Sequence, residues 1–230
     1  MRLVSFNILH GRRAEDGGGV DLDALVRSVV ALDPDLLALQ EVDVGVPRSD
    51  RADQAGVVAA ALGFEVVFGK ATRVGGIGKY GNALLTRCPI RDVEVVRLPR
   101  TARRNEPRSA ILARVDVGGI ALSVCATHLS IHRPEVHRQL ESAMTWLTSR
   151  PGPHVLIGDL NLGPDEVSPV VERHGLVLAP SDQPTFPRNA PRARIDHVAI
   201  DGFDVGRVEA VATESSDHCA LVVEVCLRDG

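Results

Sequence analysis

The stretch His154-Val155-Leu156-Ile157-Gly158-Asp159-Leu160-Asn161 runs as an apolar strand into a glycine, then sets a carboxylate and a carboxamide two residues apart. Side chains at i and i+2 of an extended chain point the same way, so Asp159 and Asn161 are expected to face one substrate atom. Asp159 would accept a proton from water, and Asn161 would orient that water or donate a hydrogen bond to a phosphate oxygen. The same residues also suit an Asx turn leading into Gly163-Pro164. The choice between the two depends on what the rest of the chain supplies.

Outward from this segment, short apolar runs of strand length recur at 2–7, 35–41, 64–69, 82–86, 92–97, 109–117, 119–127, 154–158, 194–200 and 219–227. Helical spacing appears in Leu22, Leu25, Val26, Val29 and Val30, in Gln54, Val57, Val58, Ala61 and Leu62, and in Val136, Leu140, Ala143, Met144 and Leu147. Gly118-Gly119 between two of the strands is a hairpin signal and demands antiparallel pairing. Strands mixed with a few helices and a hairpin predict packed sheets flanked by helices, not a purely parallel doubly wound sheet. Glycine- and arginine-rich loops are expected at 11–19, 70–81, 99–108 and 181–193, where function often resides. One of them holds Gly76-Ile77-Gly78-Lys79-Tyr80-Gly81, a match to G-x-G-x-x-G. It precedes a strand instead of opening a helix, so it reads as a flexible loop and not a dinucleotide site.

With 230 residues and 44% hydrophobic content, the chain can bury a substantial core, and it reads as one domain over 1–230. Only 3% of residues are aromatic, so that core is built from Val, Leu, Ile and Ala. A net charge of -4 argues against a nucleic-acid coating protein but leaves room for a local phosphate pocket. Nearly all the positive charge is arginine, whose planar fork grips phosphate oxygens in pairs. Cys88, Cys125, Cys219 and Cys226 lack C-x-x-C spacing and read as buried free thiols. The first residues already look like a strand, and no apolar run approaches membrane-spanning length, so a cytoplasmic location without membrane insertion is expected. Nothing in the sequence indicates an oligomeric state.

Polar residues at the ends of the apolar runs form an ordered series: Asn7, Glu41, His128, Asp159 with Asn161, Asp196, then Asp217 and His218. Oxygen ligands such as Asn7 and Glu41 suit magnesium, which keeps several waters and leans on substrate phosphate for its remaining ligands. His218 bonded to Asp196 would favour imidazolium, a positive donor to phosphate, and His128 could supply a second donor. Donors preorganised in this way are typically worth ~3 kcal/mol each.

The segments Phe6-Asn7, Leu39-Gln40-Glu41-Val42, Gly81-Asn82-Ala83-Leu84-Leu85-Thr86-Arg87, Thr127-His128-Leu129, Gly158-Asp159-Leu160-Asn161, Ile195-Asp196-His197 and Ser216-Asp217-His218 resemble, in order, the motifs of the endonuclease/exonuclease/phosphatase superfamily. The resemblance runs from residue 6 to residue 218. It implies a four-layered α/β/β/α sandwich of two mixed, largely antiparallel sheets, deoxyribonuclease-like, with the site at one end. It also implies a divalent metal, Mg2+ with Mn2+ as substitute, held by Asn7 and Glu41 with Asp217. Asp159 and Asn161 would activate water, the Asp196–His218 pair would sit at the phosphate, and His128 matches a second catalytic histidine. The sequence departs from the pattern at His197, where many relatives carry an aromatic, and it offers no clear acidic partner for His128.

Substrate choice would lie in loops, where Arg48, Tyr80, Asn82 and Arg108 are the candidate contacts. The substrate is expected to be a phosphoester: a small molecule, a lipid head group or a nucleic acid. Scarce aromatics disfavour a single-strand binder and weaken, without removing, an endonuclease on DNA or RNA. The remaining alternative is a non-catalytic phosphate-binding module, against which the intact polar series argues.

Overall fold

Along the chain the elements are β1 (Arg2–Asn7), α1 (Leu22–Leu32), β2 (Leu36–Val44), α2 (Gln54–Leu62), β3 (Glu65–Val74), β4 (Gly78–Thr86), β5 (Ile90–Arg97), β6 (Ser109–Val117), β7 (Ile120–His128), α3 (Glu135–Thr148), β8 (His154–Asp159), α4 (Pro164–Arg173), β9 (Val177–Leu178), β10 (Asp196–Ile200), β11 (Phe203–Val211) and β12 (Ala220–Leu227). This computed structural model describes residues 1–13 and 19–228. Part of the expected loop at 11–19, residues 14–18, lies outside the described residues.

Two six-stranded sheets form, ordered β11-β12-β1-β2-β4-β3 and β5-β6-β7-β8-β10-β9. Each contains one parallel pair, β1 with β2 and β7 with β8, and is otherwise antiparallel. Alternating side chains of the two inner faces make the central core, with Leu36, Ala38 and Leu84 packed with Ile111, Val124 and Ile157. The outer face of the first sheet is covered by α1 and α2 through Leu25, Val29, Val58 and Ala59, and that of the second by α3 and α4 through Leu140, Met144, Val167 and Val171. Three apolar seams therefore hold four layers, the sandwich that the resemblance implies. Truncating a residue such as Leu156, fully buried in the α3/α4 seam, should cost about 2–5 kcal/mol.

Aspartate caps fix two helix starts: Asp21 accepts from Ala24 N–H at 2.9 Å and Asp53 from Gly56 N–H at 3.0 Å. No helix among the described residues is long and apolar enough to cross a membrane.

Several expectations need correction. The stretch 70–81 is not a loop: β3 and β4 pair as far as Val74 opposite Gly78, leaving only 75–77 as the turn. Gly75 and Gly76 take the positive φ of that turn, while Gly78 and Gly81 serve close strand approach: a Cβ on Gly81 would lie 2.1 Å from the Gly69 carbonyl oxygen beside the bulge at Lys70–Thr72. A fourth helix, α4, was hidden by its charges and by Pro169, although Val167, Val170 and Val171 are buried beneath it. β11 escaped because an edge strand carrying Gly206 and Arg207, with a bulge between Val205 and Val208, shows no apolar run. Finally, Cys226 is exposed and Cys88 only half-buried, so buried thiols are found only at Cys125 and Cys219.

Candidate active site

The topology draws the polar series together. Parallel strands β7 and β8 end level, placing His128 opposite Asp159, and the antiparallel neighbour β10 begins at that level with Asp196 opposite Asp159. His128, Asp159 and Asp196 thus form one row across the second sheet. In the first sheet β1 ends at Asn7, and antiparallel β12 begins close by, just after His218. Ser216, at φ +74°, ties that approach to β1 by donating from Oγ to the Asn7 carbonyl at 2.5 Å and accepting from His218 N–H at 3.1 Å. Gly158 allows the row to close: its φ is +152°, and a Cβ there would sit 1.9 Å from the Thr127 carbonyl oxygen.

Asp159 lies at the centre and is 1% exposed. Asn7 Nδ2 donates to its Oδ2 at 3.0 Å and reaches Glu41 Oε1 at 3.2 Å, so one carboxamide spans two carboxylates from different sheets. His128 Nε2 and His218 Nε2 stand 3.4 and 3.8 Å from the same Oδ2. Burial, helped by the neighbouring charge of Asp196, pushes the Asp159 carboxyl up to about 7. Glu41 is lifted out of the β2 ladder by a bulge between Leu39 and Val42 and adopts φ +59°, so its strand continues past it to Val44.

The two histidines differ in electrostatic setting. Burial works against a charged His218, but Asp196, 2.9 Å from its Nδ1, outweighs that cost and raises the ring to about 9. His128 is pushed well below the ordinary histidine value, first by burial and then by the Arg108 guanidinium, whose Nη1 lies 3.0 Å from its Nδ1. Arginine can only donate, so Nδ1 must accept and the proton resides on Nε2, which faces Asp159. The partner missing from the sequence reading is therefore a cation on one ring nitrogen and the Asp159 carboxylate on the other.

Asn161 reaches the site by a route other than strand periodicity. The strand stops at Asp159, Asn161 adopts φ +51°, and its N–H returns to Asp159 Oδ1 at 3.0 Å, the Asx turn first noted as the alternative. Its carboxamide donates to the Leu129 carbonyl at 2.9 Å. Asp217 is half-buried; its carboxylate forms no hydrogen bond or ion pair among the described residues, though its charge adds to the field that raises His218. Arg48 grips buried Asp43 in a bidentate pair at 2.8 and 2.9 Å and lies over the Tyr80 ring. Burial raises the Tyr80 phenol above its ordinary value. Asn82 donates across the sheets to the Ser109 carbonyl at 2.8 Å. His197 is a buried, neutral structural ring, lowered to about 4 by burial, with Nε2 at 2.8 Å from the Leu162 carbonyl oxygen.

Two neighbours escaped the sequence reading. His10 Nδ1 stands 3.4 Å from Glu41 Oε2 and has no hydrogen-bond partner although buried, and its place three residues past Asn7 was the available signal. The Phe186 ring packs 4.8 Å from that of His218, and nothing local in the 181–193 loop marks it.

The donor set suits a hard divalent cation. Carboxylates of Glu41 and Asp159 converge on the Asn7 carboxamide, and crowding with Asp196 leaves negative charge that a cation would offset. Among the described residues, Asp159, Asp196 and His218 also offer ligand atoms all within 4.8 Å of one another.

Comparison with known proteins bears on the family and the fold. The model of the Endonuclease/Exonuclease/phosphatase family matches residues 4–218. The structure of an endonuclease/exonuclease/phosphatase from Beutenbergia cavernae superposes with a TM-score of 0.80 at 25% identity, covering 99% of this chain and 71% of that one. A mannosyl-6-phosphatase from Bacteroides thetaiotaomicron superposes at 0.78 with 17% identity, covering 99% and 100%. Among curated sequences, a UPF0294 protein of Vibrio vulnificus is 29% identical over 115 residues, a match spanning 47% of this chain and only 39% of the relative.

Proposed function

The chain belongs to the endonuclease/exonuclease/phosphatase family, and from that premise we propose that residues 1–230 form one catalytic domain that hydrolyses phosphoesters with the aid of a divalent cation. The observation that carries the reading is the meeting of Asn7, His128 and His218 around one Asp159 carboxylate oxygen, with Glu41 joined through Asn7 and Asp196 through His218. The raised Asp159 carboxyl beside the raised His218 ring adds support to a reaction centre.

Asp159, ionised, takes a proton from the attacking water, with Asn161 ordering the turn that aims it. His218, charged through Asp196, donates to the phosphoryl oxygens where negative charge grows. His128 donates from Nε2 on another face while Arg108 fixes its tautomer. Asn7 and Glu41, with Asp217, would hold Mg2+ or Mn2+, which would offset charge on the phosphoryl oxygens and the leaving group. Arg48, Tyr80, Asn82 and Arg108 border the substrate. The mannosyl-6-phosphatase among the neighbours supports a small phosphorylated substrate over nucleic acid.

Hydrolysis of bis-(p-nitrophenyl) phosphate, with Mg2+ or Mn2+ against a chelator, tests the reading. Turnover that disappears with the chelator and in Glu41→Gln is expected. Tight phosphate-ligand binding without turnover of any phosphoester would favour the binding module instead, and plasmid nicking exceeding small-molecule turnover would favour the nuclease.

A further inference from the structure

Just beyond Arg108 the edges of the two sheets meet. The end of β3, the end of β5 and the segment 98–108 enclose a groove of ≈ 420 Å³ lined by Lys70, Arg73, Arg97, Arg100 and Arg108, with no acidic residue in its lining. Several arginines outside the groove sit against acids, Arg27 with Glu214, Arg48 with Asp43, Arg133 with Glu166 and Arg173 with Glu141, and within it Arg108 pairs with Glu106 at 2.8 Å. In the groove, Lys70, Arg73 and Arg97 form no side-chain hydrogen bond or ion pair among the described residues, and Arg100 only a 3.5 Å contact to the Asn105 carbonyl. On a chain of net charge -4, a cluster of five cations in a concave site, of which Arg108 alone is ion-paired among the described residues, is costly through mutual repulsion, and an anionic ligand would offset that cost.

The groove is a built feature. Its far wall, the loop 98–108, is pinned to α3 by buried Glu135, which accepts from Thr101 N–H at 2.6 Å, Thr101 Oγ at 2.9 Å and Asn105 Nδ2 at 2.8 Å. Its near wall rests on the β3 bulge at Lys70–Thr72. Arg108, whose side chain is 9% exposed, is shared: Nη1 touches His128 and Glu106, while Nε is buried without a partner. One guanidinium thus separates the reaction centre from the groove.

We propose that this groove is a second anion subsite, which receives a phosphate group of the substrate other than the one undergoing hydrolysis. The inference rests on the phosphoesterase reading and narrows it to a small molecule bearing at least two phosphates. A groove of this volume with cations on both walls suits one compact dianion, whereas a strand of nucleic acid would need a longer track and stacking surfaces.

The test measures metal-free binding of propanediol, butanediol and hexanediol bisphosphates against their monophosphates, by titration calorimetry. The wild type and the variant Lys70→Gln/Arg97→Gln/Arg100→Gln are compared, with hydrolysis of bis-(p-nitrophenyl) phosphate as the activity control. At least one bisphosphate should bind the wild type tenfold or more tightly than its monophosphate. The triple variant should lose that preference while its activity on the single-phosphate diester stays within twofold of wild type. Equal binding of mono- and bisphosphates by the wild type would overturn the subsite, as would a preference that survives in a folded variant. A single-stranded oligonucleotide that binds more tightly than every bisphosphate, and loses that affinity in the variant, would overturn the small-molecule assignment. A bisphosphate preference in a protein that hydrolyses nothing would leave the subsite standing and remove the phosphoesterase reading.

Discussion

Replacing Asp196 by Asn should discharge His218 at neutral pH. The ring is held up to about 9 against an ordinary 6.5, with Asp196 Oδ2 at 2.9 Å as the main favourable influence on a ring that burial would otherwise keep neutral. A rise of that size corresponds to about 3 kcal/mol of preference for the charged ring, at roughly 1.4 kcal/mol per unit. Because the folded value is raised, this stabilisation is fully present below about pH 6.5 and is lost as pH rises through about 9. Asp196→Asn should therefore lower stability by about 2–3 kcal/mol at pH 6 and by much less at pH 10, a contrast that denaturant melts at the two pH values read directly. The His218 ring resonance, followed by NMR, should titrate near 9 in the wild type and below 6.5 in the variant. Turnover at pH 7 should fall about 10²-fold, the cost of losing one charged donor. A wild-type ring that titrates near 6.5, or a variant in which the titration does not move, would refute the reasoning.

Three further outcomes follow from the geometry. Gly158→Ala must push the Asp159 end of β8 from β7, because its Cβ meets backbone at 1.9 Å; a loss of about 2–4 kcal/mol in stability and about 10²-fold in kcat is expected, and wild-type values for both would contradict it. Glu135→Gln should detach the 98–108 loop: burial opposes the charge, but hydrogen bonds from Thr101 and Asn105 hold this carboxyl near 2. Its contribution is thus present above about pH 4.5 and lost as pH falls toward 2, so melts of wild type and variant should converge in acid. The kcat–pH profile should rise to a limb at or below about 7 as Asp159 ionises, since a bound cation favours the carboxylate further, and fall above about 9 as His218 loses its proton.

Much of this site was legible because a strand end is legible: an apolar run closing on Asn7, His128 or Asp159 states both where the chain emerges and what it presents. What the strand pattern could not convey was pairing across the sheets. The level ending of β7 and β8, and the start of β10 opposite them, are properties of register, not of any one segment. Local conformation also misled. Asn161 joins Asp159 through a left-handed turn instead of strand alternation, and Gly78 and Gly81 mark close strand approach within 70–81, where a loop was expected. The tautomer of His128 depends on Arg108, which lies at the end of the loop before β6, 20 residues away in sequence. Elements that bury only a narrow stripe, α4 and the edge strand β11, left too faint an apolar pattern to read.

The central claim is that Asp159 drives water onto phosphorus. Turnover of bis-(p-nitrophenyl) phosphate by Asp159→Asn, compared with wild type at saturating Mn2+, tests it most directly. The carboxamide keeps the size of the side chain, so an unchanged far-ultraviolet circular dichroism spectrum together with a fall in kcat of about 10³-fold or more is predicted. A folded Asp159→Asn protein that turns over at the wild-type rate would contradict it.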